Sequence, residues 1–238
     1  MSRKAVILSG GLGMRLRPFT QVIPKPLLPI GEKAVLEIQI EQLKKYGFDE
    51  IYLATNYKSE YIENFFGDGS RYGVKLIISK EKEPLGTAGP IKLIENELKD
   101  APFLLMNGDV ISLIDYGKFY DFALNNEADL TVSVKKIVTA YEFGNIFFEG
   151  DRVTHIEEKK DIVTYALAGI YILKKGIFDL IPQGEYFGMD KLILKMLEMQ
   201  LPIYKYEIDD YWLDIGRIDD YEKVNDSFKK VYKAGDTE

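Results

Sequence analysis

Residues 4–13 read KAVILSGGLG, a short apolar run that leads directly into three closely spaced glycines. Such a run is typical of a buried strand that ends in a tight turn. In an open α/β sheet, ligands bind beyond the carboxyl ends of the strands, and glycines there let the backbone approach a phosphate closely. The stretch therefore predicts a buried first strand followed by a candidate phosphate-binding loop.

Outward from this stretch, apolar runs alternate with helical patterns as far as residue 128. Further strands are predicted at 50–54, 75–79 and 103–107, and helices at 36–43, 61–66 and 91–98. This alternation predicts an α/β fold with a doubly wound, mostly parallel sheet covered by helices on both faces.

After residue 128 the pattern changes to one of mixed strands. Polar and apolar residues alternate at 129–135, and Glu149-Gly150-Asp151 is a hairpin signal between runs at 145–148 and 152–156. A long strand at 165–173, a helix at 192–199, a strand at 203–206 and a helix at 218–231 follow. We predict one domain over residues 1–238, with one lobe at about 1–128 and a smaller β-rich lobe at about 129–238.

Composition and charge exclude several classes of function. The 238 residues carry a net charge of −7, so nucleic acid and anionic membranes, which require a basic surface, are not expected partners. The chain has no cysteine, which excludes disulfides, thiolate metal sites and cysteine nucleophiles. The N-terminus lacks the regions of a signal peptide, and no apolar run is long enough to span a bilayer. We therefore expect a cytoplasmic protein.

Two cations lie close to the glycines. Arg15 follows them directly, and its planar guanidinium suits bidentate contact with phosphate, although a tight turn with a surface arginine is an equal alternative. Leu16 replaces the third glycine of a dinucleotide fingerprint, and no Gly-Lys-Ser/Thr follows as in a P-loop. Lys25 lies between two prolines that restrict its backbone, although a connector with a solvated lysine has the same appearance.

Together these features resemble a known family. Residues 10–31, GGLGMRLRPFTQVIPKPLLPIG, are similar to the signature of the sugar-1-phosphate nucleotidyltransferases, mannose-1-phosphate guanylyltransferase among them. Ala34 departs from it, because the family usually has proline there. The resemblance implies a Rossmann-like nucleotidyltransferase fold in which the smaller, β-rich lobe binds the sugar phosphate.

The resemblance extends along the chain. Residues 84–89 look like the family's nucleotide loop, 107–109 and 211–216 like its metal-binding segments, and 143–145, 156–159 and 168–171 like its sugar-phosphate contacts. Lys160 stands where the family normally has proline. Taken singly, Asp109 is also compatible with a turn residue and residues 157–160 with a solvated charge run.

By this resemblance, the oxygen of a sugar 1-phosphate attacks the α-phosphorus of an NTP in line, and pyrophosphate leaves. Arg15 would hold the β- and γ-phosphates, Lys25 would neutralise charge at the α-phosphorus, and Asp109 and Asp214 would hold Mg²⁺. The implied nucleotide-binding residues are Leu8, Gly10, Gly11, Gly13, Glu81, Gly86 and Thr87. The implied sugar-phosphate-binding residues are Gly144, Glu158, Lys159 and Gly169.

The expected partners are an NTP and a sugar 1-phosphate, with a homodimer as a further possibility from the family. Guanine is the preferred base, because a carboxylate such as Glu81 can accept from its two adjacent donors, N1–H and N2–H₂. The alternatives are a UTP- or dTTP-using enzyme and a non-catalytic relative that binds a nucleotide-sugar. Such a relative should have lost a catalytic position, whereas Arg15, Lys25, Asp109 and Asp214 are all present.

Overall fold

A seven-stranded mixed sheet forms the centre of the molecule. The structure, a computed structural model, describes residues 3–158 and 160–235, with side chains as far as residue 227. The strands are β1 Arg3–Leu8, β2 Pro29–Ile30, β3 Lys33–Ala34, β4 Phe48–Thr55, β5 Lys75–Lys80, β6 Phe103–Asn107, β7 Val110–Ser112, β8 Leu130–Thr139, β9 Asn145–Glu149, β10 Arg152–Glu157, β11 Ile162–Leu173, β12 Ile203–Glu207 and β13 Trp212–Asp214. The α-helices are α1 Phe19–Val22, α2 Val35–Lys45, α3 Ser59–Phe66, α4 Gly89–Lys92, α5 Glu95–Leu98, α6 Tyr116–Leu124, α7 Met189–Glu198 and α8 Ile218–Gly235.

The strand order in the main sheet is β12-β8-β11-β6-β1-β4-β5. β1 pairs in parallel with β4 and β6, β4 with β5, and β12 with β8. Only β11 runs antiparallel to its neighbours β6 and β8. The predicted α/β fold with a doubly wound, mostly parallel mixed sheet is therefore confirmed. Strands from both sides of residue 128 share this sheet, and the division into lobes stays a prediction.

Apolar side chains cover both faces of the sheet. Alternate residues of β1 point to opposite faces, so that Ala5 and Ile7 join one buried cluster and Val6 another. Helices α2, α3 and α6 contribute to the first cluster, and α4, α5 and α7 to the second. A third cluster, beneath the loop that follows β1, includes Leu16 and Ile215. None of the helices in the described ranges is both long and apolar enough to cross a membrane.

The predicted single helix over residues 91–98 is wrong. The chain forms two short helices there, α4 and α5, because the backbone at Ile94 (φ −120°, ψ 28°) leaves the helical region. Ile91, Ile94 and Leu98 are nevertheless all buried, so the apolar spacing continues across the break and conceals it in the sequence.

Strands β8 and β11 are longer than predicted. They continue past the main sheet as a two-stranded ribbon in which Thr139 pairs with Ile162. The predicted hairpin, formed by β9 and β10, lies between them in the chain and makes a separate two-stranded sheet.

Candidate active site

A cleft of about 470 Å³ opens at the carboxyl ends of four parallel strands, β1, β4, β5 and β6. Many of its lining residues end or closely follow these strands, which is the usual ligand position in an open α/β sheet. Ten residues predicted for the catalytic and nucleotide-binding roles line it: Leu8, Gly10, Gly11, Gly13, Arg15, Lys25, Glu81, Gly86, Thr87 and Asp109.

The glycine-rich loop is fixed by the short helix that follows it. The Thr20 hydroxyl donates to the Gly13 carbonyl (2.7 Å), and the Leu16 N–H donates to the same oxygen (2.9 Å). Leu16 is buried in the third cluster, whereas Gly11 and Arg15 are exposed at the cleft. The hydrogen bonds to the Gly13 carbonyl and the burial of Leu16 therefore hold the loop in place, while its backbone and the Arg15 guanidinium are exposed to the cleft.

Lys25 and Asp109 form a direct ion pair between Nζ and Oδ2. The side chain of Lys25 is only 11% exposed, and the prolines on either side, Pro24 and Pro26, are buried. The ammonium is therefore held at the cleft by its backbone and by a carboxylate, and it is not the solvated lysine of a connector.

Asp214 reaches Asp109 through strand pairing. β13 runs antiparallel to β7 with Asp214 opposite Val110, and the Ile215 N–H donates to the Asp109 carbonyl (2.9 Å). Asp214 as a residue is exposed, but protein atoms partly bury its carboxyl group. This burial, together with the charge of Asp109, raises the pKa of Asp214 to about 6, against the opposing charges of Lys25 and Arg15. The charges of the Asp109 and Asp214 carboxylates therefore interact within one site.

This pair fits a hard divalent cation. Within the described part of the chain, no three His, Asp or Glu side chains come together as a complete metal site. A cation bound by two carboxylates would complete its shell with phosphate oxygens and water, as Mg²⁺ prefers. The buried Asn107 Oδ1 and Ser9 Oγ, both in cleft-lining residues, have no hydrogen-bond partner among the described residues. These unpartnered atoms are consistent with a site built for a polar ligand.

Glu81 lies at another wall of the cleft. Its Oε2 accepts from the Leu85 N–H (2.9 Å), which fixes the orientation of the carboxylate. Burial raises the pKa of Glu81, and this hydrogen bond opposes the rise. Glu83, from the same charged run, is exposed and does not line the cleft. The run is therefore not a uniformly solvated face.

The loop of Gly86 packs on a loop from the second half of the chain. The N–H groups of Ala88 and Gly89 both donate to the Phe187 carbonyl (2.9 Å), and the Met189 N–H donates to Thr87 Oγ1 (2.8 Å). Gly86 has φ +82°, and a Cβ there would lie 2.8 Å from the Phe187 oxygen, so a larger residue would separate the loops. This packing places Tyr186 at the cleft.

The predicted sugar-phosphate residues lie elsewhere. Gly144 and Glu158 are exposed, just outside the two ends of the β9–β10 hairpin, and neither lines the cleft. Gly169 is in β11 behind Asn107, where a Cβ would stand 2.7 Å from the Asn107 Nδ2. Lys159 lies outside the described residues. The structure thus gathers the predicted nucleotide and catalytic residues but not the sugar-phosphate residues.

Asn56 and Tyr186 line the cleft but lie outside every segment that the sequence analysis singled out. Asn56 directly follows β4, and its side chain donates to the Glu81 carbonyl (3.1 Å). The rule that places ligands beyond strand ends could have identified it. Tyr186 had no comparable sequence signal, because it reaches the cleft only through the packing of two distant loops.

Comparisons with known proteins point to one family. A family model described as nucleotidyl transferase matches residues 4–231. The D-glycero-alpha-D-manno-heptose 1-phosphate guanylyltransferase of Aneurinibacillus thermoaerophilus is 36% identical, with 93% of this chain and 96% of that protein covered. The mannose-1-phosphate guanyltransferase of Yarrowia lipolytica is also 36% identical over 92% of this chain, which spans 62% of that longer protein.

Among solved structures, HddC from Yersinia pseudotuberculosis complexed with GMP-PN is 30% identical and superposes with a TM-score of 0.73. The match covers 95% of this chain and 99% of that one. The predicted resemblance is confirmed, and this chain belongs to the nucleotidyl transferase family as a sugar-1-phosphate nucleotidyltransferase.

Proposed function

We propose that this protein transfers GMP from GTP to a manno-configured sugar 1-phosphate and releases pyrophosphate. The observation that carries the proposal is the single cleft in which the glycine-rich loop, Arg15, Lys25 and Asp109 meet, with Asp214 beside Asp109. The two relatives described above, whose names specify guanylyl transfer to heptose and mannose phosphates, support the choice of base and sugar.

The residues of the cleft act mainly by positioning and by charge. The attacking phosphate oxygen of the sugar is already ionised near neutral pH, so the reaction needs no general base. The only histidine, His155, is on the exposed hairpin and does not line the cleft. Arg15 binds the β- and γ-phosphates, and Lys25 neutralises charge that develops at the α-phosphorus.

Asp109 and Asp214 would hold the cation, with Mg²⁺ as the proposed ion. When bound, it would neutralise charge on the phosphate oxygens of the substrate. Lys25 is paired with Asp109 in the described structure, so these groups belong to one charge network. The ammonium can turn towards substrate phosphate once a cation occupies the carboxylates.

Glu81 is the proposed reader of guanine. Its Oε2 accepts one hydrogen bond, from the Leu85 N–H, and Oε1 accepts none within the described residues, so both oxygens keep lone pairs for the two donors of a base. A carboxylate can accept from the two adjacent donors of guanine, whereas uracil and thymine present one donor between two acceptors. Guanine therefore gains hydrogen bonds at this position, and the pyrimidine bases meet repulsion between acceptors.

We expect wild-type protein to prefer GTP over UTP and dTTP by at least about tenfold in kcat/KM, because a good bidentate contact contributes roughly 1–3 kcal/mol. Glu81→Gln should shrink this preference, since the amide can keep the Leu85 contact while it presents a donor to the base. Pyrophosphate release with each NTP measures the ratio.

Glu83→Gln is the matched control, because Glu83 belongs to the same charged run but is exposed and outside the cleft. It should leave the ratio unchanged. A wild-type preference for UTP or dTTP would overturn the guanine proposal and leave the reaction class intact.

The overall proposal is tested by pyrophosphate release across a matrix of NTPs and sugar 1-phosphates. Manno-configured hexose and heptose 1-phosphates with GTP should give the highest kcat/KM. The alternative of a non-catalytic binding relative predicts no pyrophosphate from any pair, despite measurable binding of a nucleotide-sugar.

A further inference from the structure

The turn between β6 and β7 carries Asp109, and a buried side chain of α2 binds both ends of this turn. The amide of Gln39 donates to the Asn107 carbonyl (3.0 Å), where β6 ends, and to the Val110 carbonyl (2.8 Å), where β7 begins. Both partners are acceptors only, so the atom that faces them is the amide nitrogen with its two N–H donors. One side chain therefore closes the turn around Gly108 and Asp109.

Gln39 is a polar residue among apolar ones. It is 2% exposed, and Leu36, Ile40 and Leu43 of the same helix belong to the first buried cluster. Its Oε1 is also buried and has no hydrogen-bond partner within the described residues. An unpaired buried oxygen costs free energy of folding, which a leucine at this position would avoid. Packing therefore does not explain the amide, whereas the two bonds from its nitrogen do.

The turn is held at two further backbone atoms. The Gly108 N–H donates to the Leu8 carbonyl (2.9 Å), and the Ile215 N–H donates to the Asp109 carbonyl (2.9 Å). A Cβ on Gly108 would lie 2.4 Å from the Leu8 oxygen, so the end of β1 directly contacts the turn. Together with the two bonds from Gln39, these contacts fix a backbone atom in each residue from the end of β6 to the start of β7.

Helix α2 is also bonded to the segment of Lys25. The Leu28 N–H donates to the Lys25 carbonyl (3.0 Å), and the Val35 N–H, at the start of α2, donates to the Leu28 carbonyl (3.0 Å). Val35 and Gln39 are four residues apart, so they lie one turn apart on the same side of the helix. One helix is therefore bonded to the segments of both partners in the Lys25–Asp109 ion pair.

We propose that Gln39 is a positioning residue that holds Asp109 beside Asp214 and Lys25 before a cation and the substrates bind. The inference rests on the proposed role of Asp109 as a cation ligand. Groups that orient metal ligands change the affinity for the metal although they do not touch it, because an oriented ligand needs no rearrangement to bind. Gln39 does not line the cleft, so it acts only through the turn.

Gln39→Met tests this proposal, because methionine has nearly the same length and no donor. The variant should raise the Mg²⁺ concentration for half-maximal pyrophosphate release by about 10–100-fold, the usual effect when a group that orients a metal ligand is lost. Its preference for GTP over UTP should stay unchanged, because Glu81 lies at another wall of the cleft. Gln39→Leu, which removes the same two donors with a different shape, should give the same result.

Hydrogen exchange provides a readout that does not depend on turnover. The amide hydrogens of Gly108 and Ile215 are bonded at the turn, so in Gln39→Met they should exchange at least about tenfold faster through local opening. If the wild type released no pyrophosphate, the proposed function would fail, and these exchange rates would still decide whether Gln39 fixes the turn.

The matched control is Ile40→Val, at the next position of α2, where a buried side chain of the first cluster loses one methyl group. It should lower the thermal midpoint through packing alone and leave the Mg²⁺ dependence and the exchange of Gly108 close to those of the wild type. A Gln39→Met variant with the wild-type Mg²⁺ dependence would overturn the proposal. So would unchanged exchange at Gly108, or a control that alters the Mg²⁺ dependence equally.

Discussion

Lys25→Met should lower kcat by about 10²–10³-fold, the usual loss when one preorganised group that stabilises transition-state charge is removed. KM for the NTP should change much less, because the ammonium acts on charge that develops during the reaction. Methionine keeps most of the stem of the side chain between the two buried prolines, so packing should be preserved. Steady-state pyrophosphate release at varied NTP measures both constants.

The ion pair with Asp109 gives this substitution a second consequence. Because Lys25 competes with a cation for the Asp109 carboxylate, Mg²⁺ should bind the variant at least as tightly as the wild type. General damage to the site would weaken both turnover and metal binding. Arg15→Ala is the comparison. Loss of a group that binds the β- and γ-phosphates should raise KM as well as lower kcat. A Lys25 variant changed only in KM would show that its role is wrongly assigned.

Asp109→Asn and Asp214→Asn should each lower turnover by about 10²–10⁴-fold, because a bound metal ion contributes several kcal/mol of charge stabilisation. Excess EDTA should abolish wild-type activity in the same assay. Asp219→Asn is the matched control, since Asp219 is an exposed residue of α8 outside the cleft.

Neither aspartate variant should unfold. The pKa of Asp214 is raised, so at neutral pH its charge opposes folding, and Asp214→Asn removes that charge. Its thermal midpoint without metal should therefore not fall below that of the wild type. In the Asp109→Asn variant, the side-chain amide retains an oxygen that can accept from Lys25. Near wild-type rates in both variants would contradict the metal assignment.

The sequence predicted most completely the parts of the fold that local patterns control. The β6 strand was predicted at its observed bounds, because a fully apolar run between Pro102 and the Asn107-Gly108 turn allows little alternative. The prediction of one helix over 91–98 was wrong because the buried apolar residues keep a helical spacing across the break between α4 and α5. The site was predictable where a residue lies just beyond the end of a strand, as Glu81 does after β5 and Asp109, two residues on, after β6.

Other parts of the site depend on contacts between distant segments. The pairing of β13 with β7 brings Asp214 to Asp109, and no local spacing indicates it; only the family resemblance did. Tyr186 depends on the packing of its loop against Gly86, which local sequence does not encode. The hairpin was predicted correctly, but its exposure depends on what the rest of the chain leaves uncovered.

Strand β11 joins two environments within one continuous segment. Its first half, Ile162–Leu167, pairs with β8 alone in the ribbon, whereas Ile170–Leu173 is also bonded to β6 in the buried sheet. The rate of native-state hydrogen exchange along this strand should therefore change abruptly near Ala168. Amides before it should exchange through local opening, and those after it only through global unfolding. A single strand would then carry both the least and the most protected amides of the sheet.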